Sequence, residues 1–189
     1  MKTVEPSPNP LSSAKVWPLS VPAYRALGEA GLIPRNTELL YGVVYQKMSK
    51  APVHSALVGR LLKLLQEISL PGYLVRSEQP IACDDSKPEP DVAVVRGVER
   101  DFWHQHPHTA ELVIEVCVTS HDYDRSKLRA FAGAEVREVW FVLVPEQQVE
   151  VYRRPGNGQF AEQKTYGAGR VVCQAVPGFE LDIQALFEN

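Results

Sequence analysis

KPEPDVAVVRG, residues 87–97, is a strand-forming run with one carboxylate, Asp91, at its start. ELVIEVCVTSHDYDRSK, residues 111–127, opens on a second such run, and Glu115 interrupts it. Strand side chains alternate between faces. Asp91, Ala93 and Val95 therefore share one face of their strand, and Val113, Glu115 and Cys117 share one of theirs. A buried carboxylate is costly unless it is paired, hydrogen-bonded or bound to a metal. If the two strands are neighbours, opposed Cβ atoms lie about 4.5–5.5 Å apart. Two carboxylates at that separation repel unless a cation lies between them. A hard cation such as Mg²⁺ is commonly held by one or two carboxylates plus waters and a phosphate. It polarises the phosphate and lowers the pKa of a bound water. The pair therefore points to a phosphodiester-cleaving metal site. The plainer alternative for Asp91 is a solvated strand end; Glu115, inside LVIEVCV (112–118), has no such outlet.

The second stretch ends at Lys127. With Asp122 or Asp124 as N-cap of a helix over 122–136, Lys127 falls in the first turns. A cation there opposes the helix macrodipole by roughly 0.3–1 kcal/mol. That field, with a nearby metal, favours the neutral amine. Such a lysine can orient a metal-bound water or stabilise charge building on a phosphate. The alternative is a surface lysine paired with Asp122 or Asp124.

Outward from this centre the chain reads as an ordered mixture of helices and strands. Residues 1–19, rich in proline and serine, read as a polar flexible arm, and 20–189 as one domain. Ser20-Val21-Pro22 is a helix start. TELLYGVVYQKMS (37–49) is a hairpin or bent strand around Gly42. APVHSALVGRLLKLLQEIS (51–69) is the longest helix, packed by Val53, Leu57, Leu61, Leu64, Leu65 and Ile68. GYLVRSEQPIAC (72–83) holds one or two strands, REVWFVLV (137–144) an apolar strand, and QQVEVYRRP (147–155) its hairpin partner. The order implies a mixed α/β domain, a sheet covered by helices.

The 189 residues carry 44% hydrophobic and 23% charged residues, as ordinary globular proteins do. No run reaches the roughly 18 apolar residues of a membrane span, and the N-terminus has no apolar signal core. Three scattered cysteines, Cys83, Cys117 and Cys173, argue for a reducing cytoplasm over a disulfide framework. A net charge of −3 argues against an autonomous DNA binder with a long footprint. Any nucleic-acid contact must come from local patches, for which Lys47, Lys50, Arg60, Lys63, Arg125, Lys127 and Arg129 are candidates.

Pro90-Asp91, Glu115 in an apolar strand and a following lysine together resemble the PD-(D/E)XK nuclease superfamily. More narrowly, the chain resembles a bacterial family of restriction-endonuclease-like proteins. The resemblance is carried in order by ELLYGVV (38–44), HSALVGRLLKLLQ (54–66), PEPDVAVV (88–95), VIEVCV (113–118), YDRSKLRAFA (123–132), AEVREVWFV (134–142) and VEVYRRP (149–155). It implies a restriction-endonuclease-like fold, a central mixed sheet flanked by helices. It implies that Asp91 and Glu115 bind Mg²⁺ or Mn²⁺, with Asp91, Glu115 and Lys127 as the catalytic set. The usual lysine position, two residues after the glutamate, is Cys117 here, so Lys127 is the superfamily lysine moved onto the helix. Glu38 and His54 are implied as accessory residues. DNA as substrate and a homodimer with VYRRP at its edge also follow from the resemblance. The chain departs from the family where YDRSK is one residue shorter than the usual YDR-x-x-K and where Val43 follows Gly42.

Three readings are thus open: a metal-dependent nuclease for DNA, a nuclease-fold module that binds nucleic acid or a protein partner without catalysis, and a zinc protein using Cys and His. FWHQHPHTA (102–110) places His104, His106 and His108 at alternate positions. These are metal ligands if the segment is a strand, but Pro107 argues for an exposed loop, with Trp103 free to stack on bases.

Overall fold

The computed structural model describes residues 15–68, 70–119 and 121–188. The arm expected over 1–19 lies mostly outside the described residues, and residues 15–20 carry neither helix nor strand. Ser20 caps helix α1 (Val21–Glu29), its Oγ accepting the Ala23 N–H at 3.3 Å. Strands β1 (Thr37–Leu40) and β2 (Val43–Gln46) form the expected hairpin. Its two turn residues, Tyr41 and Gly42, both have positive φ, 54° and 76°, as a two-residue turn of right-handed twist requires. Glycine is needed at 42 for a second reason: a Cβ there would stand 2.4 Å from the Pro18 Cβ.

Helix α2 (Pro52–Gln66) is the longest, as the apolar periodicity predicts. Its buried side is turned slightly from the expected one. Val53 is 43% exposed, while His54 points inward with Leu57, Val58, Leu61 and Leu65. The inward position of His54, which the resemblance implies as an accessory residue, does not follow from the apolar residues alone.

Six strands make the central sheet in sequence order: β3 (Tyr73–Ser77), β4 (Val92–Arg96), β5 (Leu112–Cys117), β6 (Glu138–Leu143), β7 (Gln148–Gly156) and β8 (Gln159–Tyr166). The β5–β6 pair is parallel and the others are antiparallel. A parallel neighbour needs a crossover, which here carries helices α3 (His121–Ser126) and α4 (Leu128–Gly133). A small β9 (Arg170–Val172)–β10 (Glu180–Asp182) sheet and helix α5 (Ile183–Phe187) follow. The fold is mixed α/β, a mixed sheet flanked by helices.

The alternation read from the sequence sorts the core into two layers. Val92, Val94, Ile114, Trp140 and Val142 pack with α2 and the C-terminal segment, where Trp140 stacks on Phe179 at 5.3 Å. Ala93, Val113, Val139 and Phe141 face the other way, onto Phe131 of α4. Each such fully buried apolar side chain contributes roughly 1.5–3 kcal/mol.

Two expectations need correction. VYRRP lies on β7, which has a partner strand on each side, so it is not an edge; the edges of the sheet are β3 and β8. Its Arg153 is buried against Glu138 at 2.8 Å. The helix expected over 122–136 is broken at Lys127. The cause is a side chain inserted into the helical ladder. The Tyr41 hydroxyl donates to the Ser126 carbonyl and accepts the Ala130 N–H at 3.2 Å. Ser126 and Ala130 are the two ends of what would otherwise be one i→i+4 bond. Ser126 Oγ also donates back to the Tyr123 carbonyl at 2.6 Å, a local bond that competes with regular helix.

Glu138 anchors the β9 region to the sheet. It accepts from Trp140 Nε1 (2.7 Å), Arg153 Nε (3.0 Å) and the Gln174 amide (2.9 Å) and is 1% exposed. Glu138→Ala would leave the Arg153 guanidinium buried without its partner. The expected loss is about 3–5 kcal/mol, read as a fall in the urea midpoint.

Candidate active site

The register places Asp91 opposite Glu115. Val92 pairs with Ile114 and Ala93 with Val113, so one further step of the antiparallel ladder brings the two acids together. The ladder stops there. Beyond it β5 continues through Glu115, Val116 and Cys117 paired only with β6. The Asp91 side chain takes the place of the missing strand: its Oδ2 accepts the Val116 N–H at 2.8 Å. The Asp91 N–H in turn donates to Glu115 Oε2 at 3.3 Å. The two carboxylates are thus held by the end of a strand pair, and the opening beside them is a cleft of about 430 Å³.

All five residues expected from the sequence meet in this cleft. Lys127 is buried, not a surface lysine. Its Nζ donates to Glu115 Oε1 at 3.1 Å and lies 3.4 Å from Glu38 and 3.5 Å from Asp124. The break between α3 and α4 puts Lys127 at the start of α4, where it bridges to the sheet despite the shortened YDRSK spacing. His54 Nε2 is 3.0 Å from Asp91 Oδ2, and its Nδ1 is buried with no partner among the described residues. Glu38, on β1, accepts the Tyr123 hydroxyl at 2.6 Å.

Sequence reasoning missed Asp124 as a member of the site, reading it as a helix cap. Tyr123, Glu78 and Glu89 were also unseen as its neighbours, while Lys50 reads from the sequence as part of a basic patch. Lys50 pairs with Glu78 at 2.6 Å and with Asp91 at 3.3 Å. The YDR run carried a usable signal, since Tyr123 and Lys127 are four residues apart and face one side of a helix. Of the proposed basic patch, only Lys47, Lys50 and Lys127 line the cleft. Arg60 binds the C-terminal carbonyl of Leu186, Lys63 lies near Glu67, Arg125 pairs with Glu150 and Arg129 lies by Asp85.

Charge sets the protonation of the group. Burial pushes Glu115 well above the ordinary carboxylate range, and the Lys127 charge only partly offsets the further push from Asp91, Asp124 and Glu38. Asp91 goes the other way. Burial raises it, but the His54 and Val116 hydrogen bonds and the Lys50 charge outweigh that and hold it below its usual value. For Lys127 burial alone would favour the neutral amine; Glu115, Glu38 and Asp124 reverse this and raise it well above normal. Without a metal, three carboxylates around one amine outweigh the half-charge of a helix end, and Lys127 is held as the cation.

Among the described residues no three His, Cys, Asp or Glu side chains stand in a ready metal-binding arrangement. The donor chemistry still suits a hard cation. Six carboxylates (Glu38, Glu78, Glu89, Asp91, Glu115 and Asp124) line the cleft against three lysines, and one or two carboxylates suffice for Mg²⁺. The three cysteines do not meet at a zinc: Cys83 and Cys117 lie on one side of the sheet and Cys173 on the other.

A family profile described as Uma2, putative restriction endonuclease, matches residues 33–184. The chain belongs to the Uma2 family. No curated protein matches it significantly. A solved structure of a putative nuclease of DUF820 from Anabaena variabilis ATCC 29413 is similar in fold. Its TM-score is 0.72 at 20% identity, over 85% of this chain and 96% of that one. The Uma2 match spans every strand of the central sheet and all the cleft residues named above.

The histidine run of this Uma2 chain does not form a metal cluster. A short 3₁₀ turn (Glu99–Phe102) opens it, and no strand follows before Ala110. His106 Nδ1 faces the Arg76 guanidinium at 3.4 Å, and His108 Nδ1 faces the Ala82 carbonyl at 2.9 Å. Burial, with the charges of Lys87, Arg76 and Arg25, lowers His106 to about 4. A base whose folded value is depressed stabilises the fold above its unfolded value, about 6.5, and that contribution is lost as pH falls below it. The imidazole proton resonance of His106 is expected to show no titration between pH 7 and pH 5 by NMR, unlike an exposed histidine.

Among the described residues no helix is long and apolar enough to cross a membrane.

Proposed function

We propose that this chain is a metal-dependent nuclease that hydrolyses phosphodiester bonds in DNA. One observation carries the reading. A cleft with six carboxylates and three lysines cannot hold a phosphodiester by itself, because like charges repel. It becomes a phosphate site once a divalent cation sits among the acids. Asp91 and Glu115 would hold that cation, with Glu38 close behind. Bound there, it supplies Lewis-acid polarisation of the phosphate and a water of lowered pKa.

The chain's own residues do the rest. Lys127, held among its three acidic neighbours, would stabilise charge building on a phosphate oxygen. His54 Nε2 and the Val116 N–H both fix Oδ2 of the Asp91 carboxylate, and Lys50 lies at its Oδ1. Tyr123 holds Glu38, and the inserted Tyr41 hydroxyl holds the helix break that delivers Lys127. Family membership and the nuclease-like fold support the reading. A Mg²⁺ or Mn²⁺ cofactor, a homodimer and a cytoplasmic setting belong to the same proposal.

The competing reading is a nuclease-fold module without catalysis. It is favoured by the ion pairing of Lys127 with three carboxylates, which satisfies the acids without metal. Calorimetric titration with Mn²⁺ separates the two. The nuclease reading expects saturable binding to wild type that Asp91→Ala abolishes. Heats equal to buffer dilution in the wild type would favour the module.

A further inference from the structure

A second cleft, of about 630 Å³, lies on the other side of the wall that bounds the acidic one. The wall is β1 and the segment before Asp91, joined by a bridge between Leu39 and Lys87. Its residues alternate between the two clefts. Glu38 serves the acidic cleft, Thr37 and Lys87 serve the second, and Glu89 borders both.

The second cleft has the opposite charge character. Its acids are already neutralised: Glu29 pairs with Arg25 at 2.7 Å, and Glu89 pairs with Lys47. Of its cations, Arg25 is taken up by that pair, and Lys87 is left over. Lys87 stands over the Tyr24 ring at 5.9 Å and makes no ion pair among the described residues. Behind the wall lies Arg76, a guanidinium only 5% exposed. It contacts the Phe102 ring and His106, both cleft residues, and its Nε has no partner among the described residues. A buried charge without a counterion is costly. A guanidinium can only donate, so His106 Nδ1 must accept, and the imidazole proton sits on Nε2. The low His106 value shows the same uncompensated positive field after burial. Trp103, 63% exposed, lines the same cleft with the Arg100 guanidinium 5.6 Å from its ring centre. An exposed aromatic ring beside unpaired cations is the combination that holds single-stranded nucleic acid, by base stacking and phosphate pairing.

We propose that this second cleft binds a backbone phosphate and an adjoining base of a nucleic-acid strand, beside the acidic cleft where that strand is cut. The polymer rests on the nuclease reading; the phosphate rests on the second cleft's own charge. Lys87 pairs with the phosphate, His106 Nε2–H donates to it, and Trp103 stacks on the base. The same phosphate-ester chemistry is offered by a free mononucleotide.

The test is anisotropy of a labelled oligothymidylate at low salt in EDTA, where no metal-dependent cutting occurs. Lys87→Met and Trp103→Ala each change a side chain outside the core, and circular dichroism checks their folding. Each is expected to weaken binding about tenfold. Lys87→Met should also reduce the slope of log affinity against log salt by about 0.7. Arg154→Met, at an exposed position of β7, should bind as wild type. Wild-type affinity in both cleft variants, or no oligonucleotide or dTMP binding by the wild type, overturns the proposal. If dTMP displaces the oligonucleotide at equal concentration, the source is a free nucleotide; if it does not, the source is the strand. Plasmid cutting in Mn²⁺ is scored separately. Weakened binding in a chain that never cuts keeps the phosphate site and removes the nuclease reading. Unchanged binding in a chain that cuts does the reverse.

Discussion

Glu115→Gln will reduce phosphodiester cleavage by on the order of 10³-fold or more while leaving the protein folded. The two effects separate because of where Glu115 sits. It is buried on β5, and only its carboxylate oxygens reach the cleft. Glutamine keeps the shape and can still accept the Asp91 N–H. It removes a charge that burial already disfavours. Lys127 keeps Glu38 at 3.4 Å and Asp124 at 3.5 Å. Stability should therefore change by no more than about 1 kcal/mol. On the nuclease reading, the cation would in contrast lose one of its two anionic holders. Single-turnover cutting in Mn²⁺ and urea unfolding of the same preparation measure both. A variant that cuts at the wild-type rate would exclude Glu115 from the metal shell.

Lys127→Met will cost about 3–5 kcal/mol of stability and abolish cleavage. Lys127 is the cation within 4 Å of Glu38, Glu115 and Asp124, and it is 5% exposed. Methionine fills the space but leaves three buried carboxylates facing one another. Part of the cost should return in the double variant Lys127→Met with Glu115→Gln, since one of the repelling charges is then gone. Mn²⁺ should also stabilise the single variant more than it stabilises wild type, because the ion replaces the lost counter-charge. Urea midpoints with and without Mn²⁺ decide this. A midpoint equal to wild type would mean that the acids are protonated and need no lysine.

The contrast between these two residues shows what was legible in the sequence. Glu115 announced itself, because a charge in LVIEVCV breaks an otherwise apolar strand. Asp91 followed from the alternation, and the antiparallel register then made the two opposite. The core layers were equally readable, since Val92, Val94 and Ile114 face one way and Ala93 and Val113 the other. Lys127 was legible only as a position. Its reach depends on the helix break made by Tyr41, a residue 86 positions earlier on a hairpin turn. No local pattern encodes a contact of that range. Asp124 was legible as a helix cap or a surface partner of Lys127, but not as a buried member of the site, because an Asp at the start of a helix already has an ordinary capping explanation. Arg76 was hidden because an arginine in a strand reads as a solvated face, whereas β3 turns it toward the Phe102–His106 segment.

The most direct measurement is nicking of supercoiled plasmid in Mn²⁺ by wild type, Asp91→Ala and Glu115→Ala purified side by side. The metal-site reading predicts that wild type converts the plasmid to open circles and that both variants leave it supercoiled. Nicking by both variants at the wild-type rate would contradict it.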